Sequence, residues 1–301
     1  MNFKELSGLL EKGGYYTNDK ITAALFTSLV MGKPMLLEGE PGCGKTFLAK
    51  AYAKGTGMEL IRMQMYDGLT DDKILYDYNY QKQLLMLETI KPFIQEKYQK
   101  QEISDIMTQV SKEIDFYGED FLIKRPILQT ILSDSPKILL IDEIDKAPEE
   151  IEYLLLEFLE DYSISIPQYG KVECQPENRP IVFITSNNYR ELSQALKRRC
   201  TYLYVPNKTS DEMTQILIKA VGVDEVTAAG VSKCISRMQE IDLRQTPSIS
   251  EGIEWTRFLK SAGDINKEDV MRSLSLLIKN KKDEEVIARI VEQEGASLWN
   301  R

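Results

Sequence analysis

The segment Gly39-Glu40-Pro41-Gly42-Cys43-Gly44-Lys45-Thr46 fits the pattern G-x-x-x-x-G-K-[ST] at every fixed position. Its residue types state the chemistry. Glycines let the backbone curl until successive N–H groups point at phosphate oxygens. Lys45 reaches the β- and γ-phosphates of a nucleotide, and the Thr46 hydroxyl binds Mg²⁺. All eight residues are expected to form the nucleotide cradle, and a helix starting at Lys45 adds its positive dipole end. A chance glycine-rich turn is the plainer alternative. The context argues against it, because the apolar run Met35-Leu36-Leu37 precedes the turn as a strand and Thr46–Tyr52 follows it as a helix.

A second constellation is acidic. Lys137-Ile138-Leu139-Leu140-Ile141 is a continuous apolar strand that runs into Asp142-Glu143. In an open α/β sheet the ligand sits beyond the carboxyl ends of the strands, so Asp142 is expected near the Mg²⁺ held by Thr46. Glu143, one residue on, is expected to orient and deprotonate an attacking water. The chain has no histidine, which removes histidine bases and metal sites and leaves a carboxylate as the leading general base. A solvated acidic turn is the plainer reading of this strand end, since Asp145, Glu149 and Glu150 are acidic as well.

The elements that must position these groups follow from periodicity. Residues 1–32 read as helices and Leu60–Met65 as a strand. Residues 91–115 are charged with helical patterning, and the region from about 91 to 118 is expected to be a helical, exposed insertion. Phe121–Leu132 reads as a helix and Ala147–Leu159 as another. Ser163–Cys174 reads as a hairpin, Pro180–Thr185 as a buried strand, Leu192–Arg199 as a short helix and Thr201–Val205 as a last strand. From about 209 the pattern is helical. Strands alternating with helices predict a three-layer α/β domain with a parallel sheet. The expected division is residues 1–206 for the nucleotide-binding α/β domain and 207–301 for an all-helical lid domain.

Composition bounds the rest. Hydrophobic residues make up 43% and charged residues 28% of 301, as in a folded globular chain, and the net charge of −9 weighs against a general nucleic-acid binder. Cys43, Cys174, Cys200 and Cys234 are scattered without a C-x-x-C pair, which fits a reducing, intracellular setting. The amino terminus lacks an apolar run of the signal-peptide kind, and no apolar run reaches the roughly 20 residues of a membrane span. A soluble cytoplasmic protein is expected. Cys43 lies among loop amides that would lower a thiol's pKa. Redox control of ATP binding is one reading of it, a passive small residue the other.

Gly39–Thr46, Ile138–Glu143, Thr185-Ser186-Asn187 and Leu196-Lys197-Arg198-Arg199 occur in the order of the AAA+ ATPases, which the chain resembles from about residue 15 to 260. Leu36–Gly42, Arg190-Glu191-Leu192-Ser193 and Thr246-Pro247-Ser248-Ile249 resemble the MoxR branch, in particular the type that assists maturation of carbon monoxide dehydrogenase. The resemblance implies an ATPase that works with Mg²⁺ as a ring, a homo-hexamer, and remodels a client protein. A partner with a von Willebrand factor A domain and a role in metal-cofactor insertion or complex assembly are implied too. It implies that Asn187 is the sensor-1 residue that positions the attacking water, where a turn asparagine is the alternative. Arg199, or Arg198 beside it, would be the arginine finger offered to a neighbouring subunit. The hairpin 163–174, with Tyr169-Gly170-Lys171 at its turn, would face the ring centre. The sensor-2 arginine of the family is expected where this chain has Ser248, with Arg244 as a substitute four residues earlier. Two other classes compete: a nucleic-acid motor such as a restriction or replication ATPase, and a small-molecule phosphotransferase.

Overall fold

The computed structural model describes residues 1–97, 115–167, 169–241, 243–262 and 273–294. Helix α1 (Phe3–Lys12) opens with a capping box between Asn2 and Glu5. Helix α2 (Asp19–Met31) is capped by Asn18 and ends on Gly32 in the left-handed conformation at φ 61°. Gly32 therefore stops the helix before Pro34 is reached.

Strand β1 (Met35–Glu38) leads through the glycine-rich turn into α3 (Lys45–Thr56). Then follow β2 (Leu60–Gln64), the short helix α4 (Asp71–Ile74), β3 (Tyr76–Tyr78) and α5 (Tyr80–Lys97). After β4 (Leu122–Lys124) and α6 (Pro126–Ile131) come β5 (Ile138–Asp142), α7 (Glu149–Asp161) and the hairpin β6 (Ser163–Ile166) and β7 (Gly170–Glu173). Strand β8 (Ile181–Ser186), α8 (Gln194–Arg199) and β9 (Thr201–Tyr204) complete the α/β part. The rest is helical among the described residues: α9 (Ser210–Val221), α10 (Glu225–Glu240), α11 (Ile249–Ala262) and α12 (Lys281–Glu294).

The main sheet has five strands in the order β2-β5-β8-β1-β9, and every pairing in it is parallel. Its three central strands, β5, β8 and β1, are buried at nearly every position because both faces are covered. In β5 the alternation is explicit. Ile138 and Leu140 pack with Leu48, Tyr52 and Phe183 under α1 and α3, while Leu139 and Ile141 pack with Ile151, Leu155 and Phe158 of α7 on the other face. That is the three-layer α/β architecture expected, with a P-loop and a helical region after it. The helical region has its own apolar cluster, including Leu217, Ile235, Met238 and Trp255. Trp255 is 1% exposed, and its indole N–H donates to Ser273 Oγ at 2.8 Å.

Two expectations between residues 80 and 132 are corrected. The helical insertion was expected to begin near 91, but α5 starts at Tyr80, where Asn79 Oδ1 accepts the Lys82 amide at 2.9 Å and so caps the helix. Residues 98–114 of that expected insertion lie outside the described residues. Phe121–Leu132 is not one helix. A short 3₁₀ turn at Glu119–Phe121 passes into β4, which pairs antiparallel with β3, and α6 begins only at Pro126. Proline lacks an N–H and pushes the preceding residue, Arg125, out of the helical region. The apolar Leu122-Ile123 before it therefore takes a strand partner.

Candidate nucleotide site

The register of the sheet brings the two sequence motifs together. β5 and β8 lie side by side, with β1 on the far edge of β8, so all three carboxyl ends open on one rim. At that rim the chain turns sharply at Gly39, where any Cβ would fall 2.3 Å from the Val205 carbonyl oxygen, so glycine is required. Lys45 is 5% exposed, and its ammonium donates to the carbonyls of Gly39 at 2.8 Å and Glu40 at 2.7 Å. Burial pulls its pKa down, against the pull of Cys43, Asp145 and Asp142 in the other direction. Gly39 and Glu40 thus hold the lysine, whereas Pro41, Gly42, Cys43, Gly44, Lys45 and Thr46 line a cavity of about 490 Å³.

Asp142 is 2% exposed and lies behind Thr46. Its Oδ1 accepts hydrogen bonds from Thr46 Oγ1 at 2.7 Å and Thr185 Oγ1 at 2.6 Å. Its Oδ2 accepts from Arg62 Nε at 3.0 Å and Nη2 at 2.6 Å. Burial raises the Asp142 carboxyl, but the hydrogen bonds from Thr185, Thr46 and Arg62, with the charge of Arg62, outweigh it and leave its pKa below the usual range. Asp142 is therefore ionised at neutral pH.

Glu143 stands at the end of β5 in the left-handed region, φ 60°. For a glutamate that conformation costs energy and has to be held by its surroundings. Its amide donates to Thr185 Oγ1 at 2.9 Å. Its Oε1 accepts from Asn187 Nδ2 at 3.1 Å, and its Oε2 from Gln64 Nε2 at 2.7 Å with Lys146 Nζ at 2.8 Å. Arg62 Nη2 also donates to Gln64 Oε1, so the network runs from Asp142 through Arg62 and Gln64 to Glu143. Sequence reasoning missed both β2 side chains. They reach the site because β2 pairs directly with β5, with Gln64 opposite Asp142.

Asn187 is held by its backbone as well. Asp145, 4% exposed, accepts the amides of Asn187 at 3.0 Å and Tyr189 at 2.9 Å through Oδ2. Arg190 and the buried Glu152 tie the same loop to α7, with Arg190 Nη2 donating to the Ala147 carbonyl at 2.9 Å and Glu152 Oε2 accepting the Ser193 amide at 2.9 Å. Asn187 and Glu143 both line the cavity.

The opposite wall comes from Tyr15 and Tyr16 and from the helical region. Ile216 and Ala220 of α9 and Ile249, Ile253 and Arg257 of α11 line it, with Lys208 from the connection between β9 and α9. Ser248 closes directly on the glycine-rich turn: a Cβ on Gly42 would fall 2.2 Å from Ser248 Cβ. Arg244 is exposed and outside the lining, its amide donating to Asp283 Oδ1 at 3.0 Å. The arginine that reaches the cavity from the helical region is Arg257. Its signal was in the sequence, because Ile249, Ile253 and Arg257 recur every fourth residue on one helix face. The Cys43 thiol is 2% exposed, and burial raises its pKa although Lys45 and Lys208 pull it down. Of the two readings of Cys43, the passive small residue is the one that fits: loss of solvation outweighs the nearby cations and disfavours the thiolate.

The comparisons with known proteins agree with this geometry. Residues 34–200, more than half of the chain, match the AAA domain of the dynein-related subfamily. The chain belongs to that AAA family. No curated protein sequence matches it. Among solved structures, a mutant of RuvB from Thermotoga maritima is 18% identical with a TM-score of 0.50, covering 98% of this chain and 78% of its own. A Thermotoga maritima RuvB Holliday junction branch migration motor is 17% identical with a TM-score of 0.46, covering 91% of this chain and 74% of its own. At these identities the likeness concerns the fold.

Mg²⁺ suits the donor set of this AAA domain. Thr46 Oγ1 and Asp142 Oδ1 are hard oxygens 2.7 Å apart beside the cradle. No group of three or more His, Cys, Asp or Glu able to hold a metal occurs among the described residues. The Thr46–Asp142 pair is enough for Mg²⁺, which takes one or two protein oxygens and completes its shell with water and phosphate.

Arg198 and Arg199, at the end of α8, are absent from the cavity wall of their own AAA domain. Arg198 is exposed, and Arg199 Nη2 donates to Glu160 Oε2 at 2.8 Å in a solvent-facing pair. Such a pair is worth about 0–1 kcal/mol and yields easily to a better anion. Lys197 of the same helix lies 3.8 Å from Glu38, the buried residue that ends β1 just before the glycine-rich turn. At the hairpin β6–β7, Tyr169 is 37% exposed, and Lys171 pairs with Glu173. No described helix is long and apolar enough to cross a membrane.

Proposed function

We propose that this AAA protein is an Mg²⁺-dependent ATPase of the MoxR type. It would work as a homo-hexameric ring that remodels or matures a client protein together with a von Willebrand factor A domain partner in the cytoplasm. The observation that carries the reading is the single network joining Thr46, Asp142, Thr185, Glu143 and Asn187 beside the cradle. Lys45 leaves its carbonyl partners for the β- and γ-phosphates. Asn187 and Glu143 hold the attacking water, and Glu143 takes its proton as the water oxygen bonds to the γ-phosphorus and the bond to the bridging oxygen breaks. Thr46 and Asp142 would hold Mg²⁺, which would supply charge neutralisation on the phosphates. Oε1 of Glu143 accepts from Asn187 alone and keeps a free acceptor site for a water, while Gln64 and Lys146 hold Oε2.

Arg199 is assigned to the neighbouring subunit's phosphates, because it stands outside its own cavity. The units 1–206 and 207–301 would close on each other over the nucleotide, with Arg257 as the lid cation in place of Arg244 or Ser248. Mixed rings test the arrangement. Arg199→Ala should lower turnover by about 10³–10⁵-fold, the range for an arginine finger. Adding subunits that carry Lys45→Ala and an intact Arg199 should restore activity to the Arg199→Ala pockets. Failure of that rescue, with mixed assembly verified, contradicts a finger in trans. Binding of a purified von Willebrand factor A domain protein to the ATP-loaded ring tests the client side.

A nucleic-acid motor, such as a restriction or replication ATPase, is the second reading. The net charge of −9 weighs against it. DNA-stimulated turnover with a steep salt dependence would favour it.

A further inference from the structure

Lys208 sits in the connection 205–209 between the last strand of the sheet and α9, and it is 9% exposed. It lines the same cavity as Cys43 and Lys45. Among the described residues it has no hydrogen bond and no salt bridge. Its contact is the Tyr15 ring, with the ammonium 5.8 Å from the centroid. The carboxylate in electrostatic reach, Glu212, has its oxygens hydrogen-bonded to other donors. Oε2 accepts the Thr209 amide at 3.0 Å in the α9 capping box, and Oε1 accepts Asn18 Nδ2 at 3.5 Å. Beside it a second polar group is unsatisfied: the Tyr15 hydroxyl is buried without a hydrogen-bond partner, on a side chain 4% exposed.

The Lys208 stem is buried and its ammonium, on the cavity wall, is only partly solvated, and a stacked ring offsets only part of that loss. Burial accordingly draws the Lys208 pKa down. Two under-satisfied polar groups on one cavity wall are the expected marks of a place where a ligand supplies the missing partner. We propose that Lys208 is a nucleotide-binding residue, its charge compensated by acceptor atoms of the nucleotide in the cavity, so that the nucleotide fastens the hinge between sheet and helical region. This rests on the nucleotide reading of the cavity. The competing role is purely structural, with the lysine packing on Tyr15 to hold the hinge.

The two roles separate in the full-length Lys208→Met protein, through ADP affinity and melting temperature without nucleotide. ADP affinity is expected to fall at least fivefold, while the melting temperature without nucleotide stays equal or rises, because a charge that loses solvation on folding has been removed. Lys208→Arg should keep ADP affinity within fivefold of the unaltered protein. If the unaltered protein binds ADP and Lys208→Met binds it less than fivefold more weakly, the inference is overturned and the nucleotide site stands. A lower melting temperature together with lost binding that Lys208→Arg does not rescue assigns the lysine a structural role and also overturns it. If the unaltered protein does not bind ADP, the nucleotide reading fails first and takes this inference with it.

Discussion

Glu143→Gln is expected to keep ATP bound and to slow its turnover by about 10²–10⁴-fold, the usual contribution of a positioned general base. The substitution keeps the shape and the hydrogen-bonding reach of the side chain but removes its capacity to take a proton. Its binding effect should be small. Glu143 shares its oxygens with Asn187, Gln64 and Lys146, whereas the cradle proposed for the phosphates is the turn 39–46. Phosphate release and equilibrium ATP binding, measured on one preparation, check both halves. Turnover near that of the unaltered protein would remove Glu143 from the role of base. With no histidine in the chain, the nearest carboxylate, Asp142, is no substitute, because all four of its observed donors hold it in place behind Thr46.

Lys45→Ala is expected to weaken nucleotide binding by about 10²–10⁴-fold, the loss of two charge-assisted hydrogen bonds of about 1.5–3 kcal/mol each. The protein should remain folded: Glu40 is exposed, and the buried Gly39 carbonyl that loses its donor costs about 1–3 kcal/mol, less than the stability of a folded domain. Thermal melting makes the test simple. Saturating a single site at about 100 times its dissociation constant stabilises a protein by about 2.7 kcal/mol, so ATP should raise the melting temperature of the unaltered protein and leave that of Lys45→Ala where it was. A full ATP-induced rise in the variant would contradict the assignment of Lys45 to the phosphates.

The local structure carried within one segment was legible in the sequence. The glycine-rich turn, the apolar strand ending in Asp142-Glu143 and the strand leading to Asn187 each declare themselves by local residue types, and local physics dictates their shape. What crosses between segments was not. Arg62 and Gln64 reach the carboxylates only because β2 lies beside β5, and the order of strands in a sheet leaves no trace in the period of any one strand. The wall formed by Ile249, Ile253 and Arg257 could be read as a helix face, but not as a face turned toward residue 42, some two hundred positions away. The segment around Phe121 went wrong for a related reason. Its apolar residues fit a helix or a strand equally well, and the pairing of β4 with β3 decided between them. Asp145 read as one more acidic residue in an acidic turn, whereas it is buried and holds the loop of Asn187.

Phosphate release from Mg²⁺–ATP by the unaltered protein, followed across protein concentrations that span assembly, tests the central claim most directly. The account predicts catalytic release that requires Mg²⁺, with turnover per subunit rising as rings form and Arg199 meets the neighbouring pocket. Absence of release at every concentration, from protein shown to be folded and assembled, would contradict it.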